Sequence, residues 1–401
     1  METNTVSKPA LKNRTGGKIN LKQYGMMIAL VVIFLIFTLL SGGKNASAMN
    51  INNLVMQNSY VVILAVGMLL CIITGNVDLS VGSVVAFTGA ACSIFVLDLK
   101  LPIPLAFLVV LVMGTLIGMW SGIFIAWLHV PPFIVTLANM LIFRGLTMVI
   151  LNGQTKGPLP TGYTVVGAGY LPTFYLYFGQ GGFKLDMIAV FAGVIGSLMI
   201  IFAEFKGIAN KKKYNFKTPP LWQTGVKLVV IVAILNYFTL KLSEYNGLPV
   251  VLGIMLGLIL LYTFITSKMV VGRQIYAVGG NAKAAKLSGI KTDKVMFWVY
   301  TNMGLLCALA GIVLSARNAS ATPKAGDGFE LDAIASCYIG GASAYGGTGT
   351  IIGAVVGALI MGVLNNGMSL IGWTVDIQRV VKGLVLLGAV TIDLISKRKK
   401  G

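Results

Sequence analysis

Charged residues are scarce in this sequence, and acidic residues are the scarcest of them. Only 11% of the 401 residues are charged, with 12 Asp or Glu against 31 Lys or Arg. Soluble domains usually carry about 25% charged residues. Because 56% of the residues are hydrophobic and the mean hydropathy is +0.86, the composition excludes an ordinary soluble protein and predicts one membrane-embedded domain.

Side chains that build metal centres and catalytic clusters are also few. The four cysteines form no CxxC pair, and His129 is the one histidine, so we expect no histidine-based metal site. Neither a GxxxxGK[ST] nor an HExxH motif occurs. No pair of carboxylates on one predicted helix face resembles a proton relay. The sequence therefore predicts a protein that is not an enzyme and that binds no metal or cofactor of its own.

Long hydrophobic runs recur along almost the whole chain. A spanning helix needs about 20 apolar residues, and twelve runs meet or approach that length: 24–41, 53–74, 82–97, 104–128, 132–151, 186–205, 222–242, 247–267, 295–316, 331–345, 349–371 and 376–395. The runs predict an all-α polytopic membrane protein with about ten to twelve spanning helices. Runs 82–97 and 331–345 are short, so either could be re-entrant, and short segments at matching places in two halves are typical of a translocation pathway.

The net charge of +19 is concentrated in the segments between the hydrophobic runs. If the N-terminus lies inside and every run crosses, the inside segments 1–23, 206–221, 268–294 and 397–401 hold 20 of the 31 Lys and Arg residues. That distribution obeys the positive-inside rule and argues against a nucleic-acid-binding surface. We therefore expect two cytoplasmic tails, 1–23 and 397–401, around a transmembrane domain at 24–396.

Small residues recur at four-residue spacing in three of the runs. The sets are Gly114, Gly118 and Gly122; Gly349, Gly353 and Gly357; and Gly253 and Gly257. Such ridges let helix backbones approach closely in lipid, either as static packing or as a sliding contact.

Two stretches suggest an internal duplication. "GNVDLSVGSVVAFTGA" at 75–90 and "FELDAIASCYIGGASA" at 329–344 each place an acidic residue beside Leu, before a short Gly-, Ala- and Ser-rich run. Each short run is followed by one of the glycine ridges. The sequence thus predicts two weakly related halves.

The basic segment 272–295 resembles the surface of a soluble protein. Asn281 can cap a short helix, the following Ala and Leu residues favour helix, and Gly289 can end it. Gly279 and Gly280 predict a turn before the cap. A docking element for a cytoplasmic partner would use such a helix, although a solvated connector that obeys the positive-inside rule is the alternative.

Four ordered motifs resemble permease subunits of bacterial ABC sugar importers of the ribose, xylose and galactose type. They are "GRQIYAVGGNAKAAKLSGI" at 272–290, "MLLCIITGNVDLSVGS" at 68–83, "HVPPFIVTLANMLIFRG" at 129–145 and "ELDAIASCYIGGASAYGGTGTIIGAVVGALIMGVLNNG" at 330–367. The added segment 206–246 looks like the longer, xylose-type branch. Asn76 departs from the pattern, since many members of the family have Gly there.

The resemblance implies an inner-membrane permease that forms a homodimer. A separate ATPase subunit, which would hold ATP and Mg, docks inside, and an extracytoplasmic sugar-binding protein delivers the ligand outside. The coupling loop would then comprise eight positions: Gly272, Arg273, Gly279, Gly280, Asn281, Ala284, Ala285 and Gly289.

Polar residues within or beside the runs could line the pathway or could be structural. The candidates are Asp78, Ser80, Thr136, Asn139, Asn365 and Asn366. Asp78 could instead cap a helix, and the amides could bond to neighbouring helices. We expect Arg144 to snorkel toward the outer interface, and Asp376 to pair with Arg379 three residues later.

Other functions remain open at this level. The same ABC role could serve a nucleoside, a branched-chain amino acid or a signalling sugar. An ion-coupled secondary transporter would need an ionisable relay within the spans, and a membrane enzyme would need a catalytic cluster. Neither feature is evident in the sequence.

Overall fold

The computed structural model describes residues 21–178, 183–214, 216, 218 and 220–398. Most of the predicted N-terminal tail and the last three residues of the C-terminal tail lie outside the described residues. Fifteen α-helices cover most of what is described: α1 (Leu21–Leu40), α2 (Ala48–Ile73), α3 (Val81–Leu97), α4 (Ile103–Ala126), α5 (Pro132–Ile150), α6 (Thr161–Ala168), α7 (Met187–Lys213), α8 (Leu221–Glu244), α9 (Val250–Lys268), α10 (Val270–Gly280), α11 (Ala282–Leu287), α12 (Thr292–Asn318), α13 (Phe329–Ile339), α14 (Ile351–Leu370) and α15 (Val375–Arg398).

Two further elements are small. A single turn of 3₁₀-helix, Lys44–Ala46, links α1 to α2. Strands β1 (Tyr175–Phe178) and β2 (Phe183–Asp186) form an antiparallel hairpin before α7, which the all-α expectation did not include.

The predicted runs and the observed helices agree closely, with three exceptions. One is run 376–395, because its helix α15 is not among the helices of the described chain that are apolar enough to cross a membrane. Within the described residues, eight helices are long and apolar enough to cross a membrane, and α3 and the Gly25–Leu40 part of α1 are shorter apolar helices. Run 331–345 was wrong as a full span, because α13 has 11 residues and reaches about 16 Å, whereas the hydrocarbon core is about 30 Å thick. Loop 206–221 was wrong at its start, since α7 continues to Lys213.

Helix starts are set by local chemistry. Ser47 caps α2 by accepting from the Asn50 amide, and Thr350 caps α14 by accepting from Gly353. Asp186 caps α7 by accepting from Ile188 and Ala189. Each cap satisfies amide groups that the first turn of a helix leaves without an intrahelical partner.

Helices α2, α12 and α14 form the centre of the bundle. The apolar stretch of α2 is 89% buried and that of α12 is 78% buried, whereas those of α7, α8 and α9 are each 17% buried. A helix that is apolar on all sides and enclosed by protein belongs to the core, while one that faces lipid remains open on most of its surface. The segment 187–268 is therefore peripheral.

The chain forms two halves of opposite direction, α2–α5 and α12–α15. Helix α4 packs on α12 through Gly118 and Tyr300, and α14 packs on α2 through Gly362 and Asn58. The short helices match as well, because α3 packs on α12 and α5, while α13 packs on α2 and α15. Opposed halves of this kind are inverted repeats, so the predicted relation between two halves has a structural counterpart.

The glycine ridges serve close helix contacts in two of the three predicted cases. A Cβ at Gly118 would lie 2.5 Å from the Tyr300 carbonyl oxygen, and one at Gly357 would collide with the Ser336 carbonyl. The third predicted ridge does not pack against another helix of the described chain. A Cβ at Gly253 or Gly257 would have no neighbouring atom within 4 Å.

Both short helices begin inside the bundle after a non-helical segment. Residues 74–80 lead from α2 to α3, and residues 319–328 lead from α12 to α13. Segment 319–328 meets the first turn of α3 where Gly326, whose φ of +70° suits glycine, lies against Gly82. No side chain would fit at this crossing, so the glycines permit the halves to interlock.

Candidate functional site

Two ends of the bundle carry different polar groups. The end that holds α10 and α11 also holds the Lys-rich C-terminus of α7, and we call it the basic face. The end that holds the β1–β2 hairpin and segment 319–328 is called the opposite face.

At the basic face, α11 is the short capped helix that the sequence predicted. The Asn281 side chain accepts from the Ala284 amide at 2.9 Å, and Gly289 follows with a φ of +84°. The predicted turn at Gly279 and Gly280 was wrong, because both residues belong to α10 and the chain bends at Asn281. Asparagine readily adopts the extended backbone conformation of an N-cap residue, so the chain bends at Asn281 and not at the two glycines before it.

The eight coupling-loop candidates divide into exposed and packed positions. Arg273, Gly280, Asn281, Ala284 and Gly289 are exposed. Gly272 and Ala285 are buried, and Gly279 lies against the Ile73 carbonyl. Gly272, Gly279 and Ala285 therefore support the loop through contacts with the rest of the protein.

Leu287 is an exposed residue of α11 that the sequence reasoning missed. Its side chain is 90% exposed, the largest value among the exposed large hydrophobic residues of the described chain. An exposed apolar side chain on a polar helix is a signal for a contact surface, and the flanking lysines obscured it.

Helix α10 is fastened to the end of α2 and to the segment before α14. Tyr276 donates its hydroxyl to the Gly349 carbonyl at 2.6 Å. Gly279 packs on the Ile73 carbonyl, which accepts from the Gly347 amide at 2.8 Å. Burial raises the pKa of Tyr276, so its phenol remains a donor at neutral pH. A displacement of α10 would therefore reach segments 74–80 and 340–350 directly.

A hollow of about 230 Å³ lies beside segment 74–80. Its lining includes Gly75, Asn76, Pro132, Phe133 and Tyr338, which come from the end of α2, the start of α5 and the end of α13. The hollow therefore opens between the two halves near the basic face.

Asp78 and Ser80 lie inside the bundle at the end of segment 74–80. Their exposures are 4% and 3%. Asp78 Oδ1 accepts from the Ser80 amide at 2.8 Å and from the Ser80 hydroxyl at 2.6 Å. The carboxylate thus closes a local turn before α3, and Ser80 occupies the N-cap position.

A second polar cluster lies toward the opposite face, and the sequence reasoning did not assemble it. Lys382 Nζ lies 3.0 Å from each carboxylate oxygen of Asp332. Asn365 donates to the same carboxylate at 3.3 Å. Asp332 is 2% exposed, and ionisable groups buried within spanning helices usually mark a pathway.

An aromatic pair adjoins this cluster. Tyr60 of α2 stacks on Phe329 of α13, with centroids 4.0 Å apart and planes 12° from parallel. Asn58 Oδ1 and Asn365 Oδ1 are buried without a hydrogen-bond partner among the described residues. Two unused acceptors beside an aromatic pair and an ion pair suit a ligand that carries hydroxyl groups.

The remaining amide candidates bond between helices, and the remaining hydroxyl candidate bonds within its own helix. Asn139 of α5 donates to Ser121 of α4 at 2.9 Å, and Asn366 exchanges hydrogen bonds with Asn50 of α2 at 2.9 and 3.0 Å. Thr136 is buried, and its hydroxyl lies 3.4 Å from the Phe133 carbonyl. Asn139 and Asn366 therefore join helices, the alternative that the sequence left open for the amides, whereas the Thr136 hydroxyl bonds within α5.

One expected charge placement was wrong. Arg379 pairs with Asp327 at 2.5 Å, instead of with Asp376. Arg144 reaches segment 319–328 at the opposite face, where it donates to the Pro323 and Ala325 carbonyls at 3.2 and 2.6 Å. Segment 319–328 brings its own partners to both arginines, which spacing along a helix could not reveal.

Comparison with known proteins places residues 50–390 in the family described as "Branched-chain amino acid transport system / permease component". The xylose transport system permease protein of Escherichia coli K12 is 38% identical over 382 residues, covering 95% of this chain and 94% of that protein. Its Haemophilus influenzae counterpart is 37% identical, covering 95% and 98%. The ribose import permease protein of Escherichia coli K12 is 35% identical, covering 98% and 99%. Among solved structures, none matches the chain significantly.

Proposed function

Because this chain belongs to the branched-chain amino acid transport system permease family, we propose that it is the membrane subunit of an ABC importer for a monosaccharide, xylose or a related sugar. The observation that carries the proposal is the end-to-end similarity to xylose and ribose permease proteins. A separate ATPase would supply the ATP chemistry, and an extracytoplasmic binding protein would select the sugar.

The proposal orients the chain with its basic face in the cytoplasm. Lys211, Lys212 and Lys213 end α7 at that face, and α11 contributes Lys283 and Lys286. Lys and Arg concentrate in the cytoplasmic loops of membrane proteins. Both termini then lie in the cytoplasm of a bacterial inner-membrane protein, and the hairpin β1–β2 lies outside.

In this orientation α11 is the docking helix for the ATPase. Its exposed surface is formed by Asn281, Ala284, Leu287 and Gly289. ATP-driven motion of the partner would displace α11 and α10 together. The Tyr276 and Gly279 contacts would then pass the displacement to segments 74–80 and 340–350, which border the 230 Å³ hollow.

The sugar pathway would pass the cluster of Asp332, Lys382 and Asn365. Sugar hydroxyl groups can donate to the free amide oxygens and to the carboxylate, and the Tyr60–Phe329 pair offers an apolar surface for a pyranose ring. Two copies of the chain would form a homodimer. Helices α5 and α15 are the matching outer helices of the two halves of each copy.

The decisive experiment reconstitutes the chain in nanodiscs with its ATPase. Ala284→Arg should abolish co-purification of the ATPase, because Ala284 is exposed on α11 and the change leaves the Asn281 cap intact. Asn281→Asp keeps the capping acceptor and should weaken docking through its added charge. The matched control is Ala209→Arg, at an exposed position near the end of α7. Unchanged docking in both α11 variants would contradict the proposal.

Ion-coupled transport by the chain alone is the second candidate. The Asp332–Lys382 pair favours it, since the structure joins two ionisable groups 50 residues apart within the helices. Purified chain in liposomes should accumulate labelled xylose under an imposed proton or sodium gradient if this candidate holds. The ABC proposal expects no accumulation without the ATPase.

A further inference from the structure

A groove of about 670 Å³ opens between α9, α10 and α12 near the basic face. We call it the α9–α12 groove. Its walls are mainly apolar and include Ile265, Val271, Ile275 and Trp298, whereas Lys291 and Lys294 lie at its rim. It is separate from the hollow beside segment 74–80, and Gly289 is the one residue of the proposed docking surface that also lines it.

The rim of the groove is positively charged. Lys291 and Lys294 are both exposed, and neither has an acidic partner within 4 Å among the residues that the structure covers. The acid between them, Asp293, accepts from the Thr292 hydroxyl at 3.2 Å. Helix α12 begins at Thr292, so the positive end of its dipole adds to the two lysines.

The length of the groove fits one membrane leaflet. Lys294 and Asn302 both line it and lie eight residues apart on α12, which corresponds to about 12 Å along the helix. One leaflet contributes about 15 Å of hydrocarbon. At the deep end Tyr262 donates its hydroxyl to Asn302 Oδ1, whereas Asn302 Nδ2 is buried without a hydrogen-bond partner among the described residues.

We propose that an anionic phospholipid of the cytoplasmic leaflet occupies the α9–α12 groove. Its phosphate lies between Lys291 and Lys294, and an acyl chain follows Val271, Ile275 and Trp298 toward Tyr262. Two lysines over an apolar slot match the charge and the length of this ligand, and juxtamembrane lysines attract anionic lipid. The choice of leaflet rests on the orientation proposed above.

The lipid would touch the helix that leads into the docking helix. Val271 and Ile275 belong to α10, and α11 follows α10 with Asn281 alone between them. A lipid seated between α10 and α12 supports α10 from the membrane side. We therefore expect ATPase activity of the assembled importer to depend on anionic lipid.

The first test measures lipid retention. The chain is purified from a dioleoyl phosphatidylglycerol and dioleoyl phosphatidylcholine mixture, and the bound lipids are quantified by mass spectrometry after delipidation. Lys291→Gln/Lys294→Gln should lower bound phosphatidylglycerol about tenfold. Lys211→Gln/Lys212→Gln removes the same charge from the end of α7 and should retain it. Equal loss in both variants, or none in either, overturns the proposal.

The second test locates the lipid. Dibrominated phosphatidylglycerol should quench the fluorescence of Trp298, obtained as the difference between wild type and Trp298→Phe, more strongly than dibrominated phosphatidylcholine does at equal mole fraction. Equal quenching by the two lipids means ordinary annular contact and overturns the proposal. Neither test involves sugar or ATPase, so failure of the lipid site is distinguishable from failure of the transport function.

Discussion

Asp78 and Asp332 lie near the starts of the two short helices, α3 and α13, but their carboxylates are held in different ways. Asp78 bonds to Ser80, two residues away in the same turn. Asp332 bonds to Lys382 of α15 and Asn365 of α14. One acid therefore stabilises a local turn, whereas the other joins three helices.

Because of this difference, we expect the two halves to have different roles. A carboxylate satisfied within its own turn can move as a unit with segment 74–80, without exposing an unpaired charge. A carboxylate shared by three helices holds them together until something replaces its partners, because an unpaired buried charge is costly. We infer that the second half carries the contact that a passing ligand must compete with, and that the first half carries the segment that moves.

The largest expected effect tests whether the two halves pack equivalently. Gly118→Leu and Gly357→Leu should each abolish monodisperse protein in size-exclusion chromatography, because each side chain would enter a neighbouring helix backbone. The control Gly257→Leu should remain folded, since Gly257 faces open space. If Gly357→Leu remained folded and Gly118→Leu did not, the helix contacts at these two glycines would not be equivalent in the two halves.

Removing the partner of Asp332 should have the next largest effect. Lys382→Met leaves a carboxylate that is 2% exposed without its cation, which costs about 3 kcal/mol and should lower both the melting temperature and sugar transport. The exchange Asp332→Lys/Lys382→Asp should recover part of the stability. Wild-type melting of Lys382→Met would show that the pair does not hold the helices.

The aromatic pair should matter less. Tyr60→Leu removes the stacking on Phe329, worth about 1 kcal/mol, and should raise the sugar concentration for half-maximal transport several-fold. Tyr60→Phe keeps the ring and should remain near wild type unless the hydroxyl contacts the ligand. Equal behaviour of Tyr60→Leu and wild type would remove the aromatic pair from the pathway.

The smallest effect is expected in the first half. Asp78→Asn retains an oxygen that accepts from the Ser80 amide, so its stability should lie within about 1 kcal/mol of wild type. Asp78→Ala loses that acceptor and should be less stable than Asp78→Asn in the same thermal assay. A large loss in Asp78→Asn would show that the negative charge is needed, and the contrast with Asp332 would disappear.

Local features of the fold were predictable because they depend on neighbours in the chain. The Asn281 cap, the Gly289 stop and most of the hydrophobic runs were predicted correctly from composition and short spacing alone. Run 331–345 failed as a span because apolar content does not show that the helix ends at Ile339. Gly253 and Gly257 failed as a packing ridge because a glycine stripe indicates a possible approach and not a partner.

The candidate site was harder to predict because its contacts are long-range. Asp332 and Lys382 are 50 residues apart, and Asn50 and Asn366 are 316 apart. The three-residue spacing within α15 predicted that Arg379 would pair with Asp376. Segment 319–328 supplies Asp327 as the partner of Arg379 instead. Leu287 was visible in the sequence, yet only its exposure of 90% distinguishes it from the other leucines.

The sequence by itself determined that the chain is a helical membrane protein, with 20 of its 31 Lys and Arg residues in segments predicted to lie on one side. A long apolar run in lipid must satisfy its backbone hydrogen bonds internally, which a helix does. The charged side chains between the runs must remain in the aqueous phase. Only the tertiary structure decided which polar groups meet inside the bundle. Each buried charge or amide must find a partner across the fold, and that choice depends on how inverted halves interlock at Gly82 and Gly326 and not on neighbours in the chain.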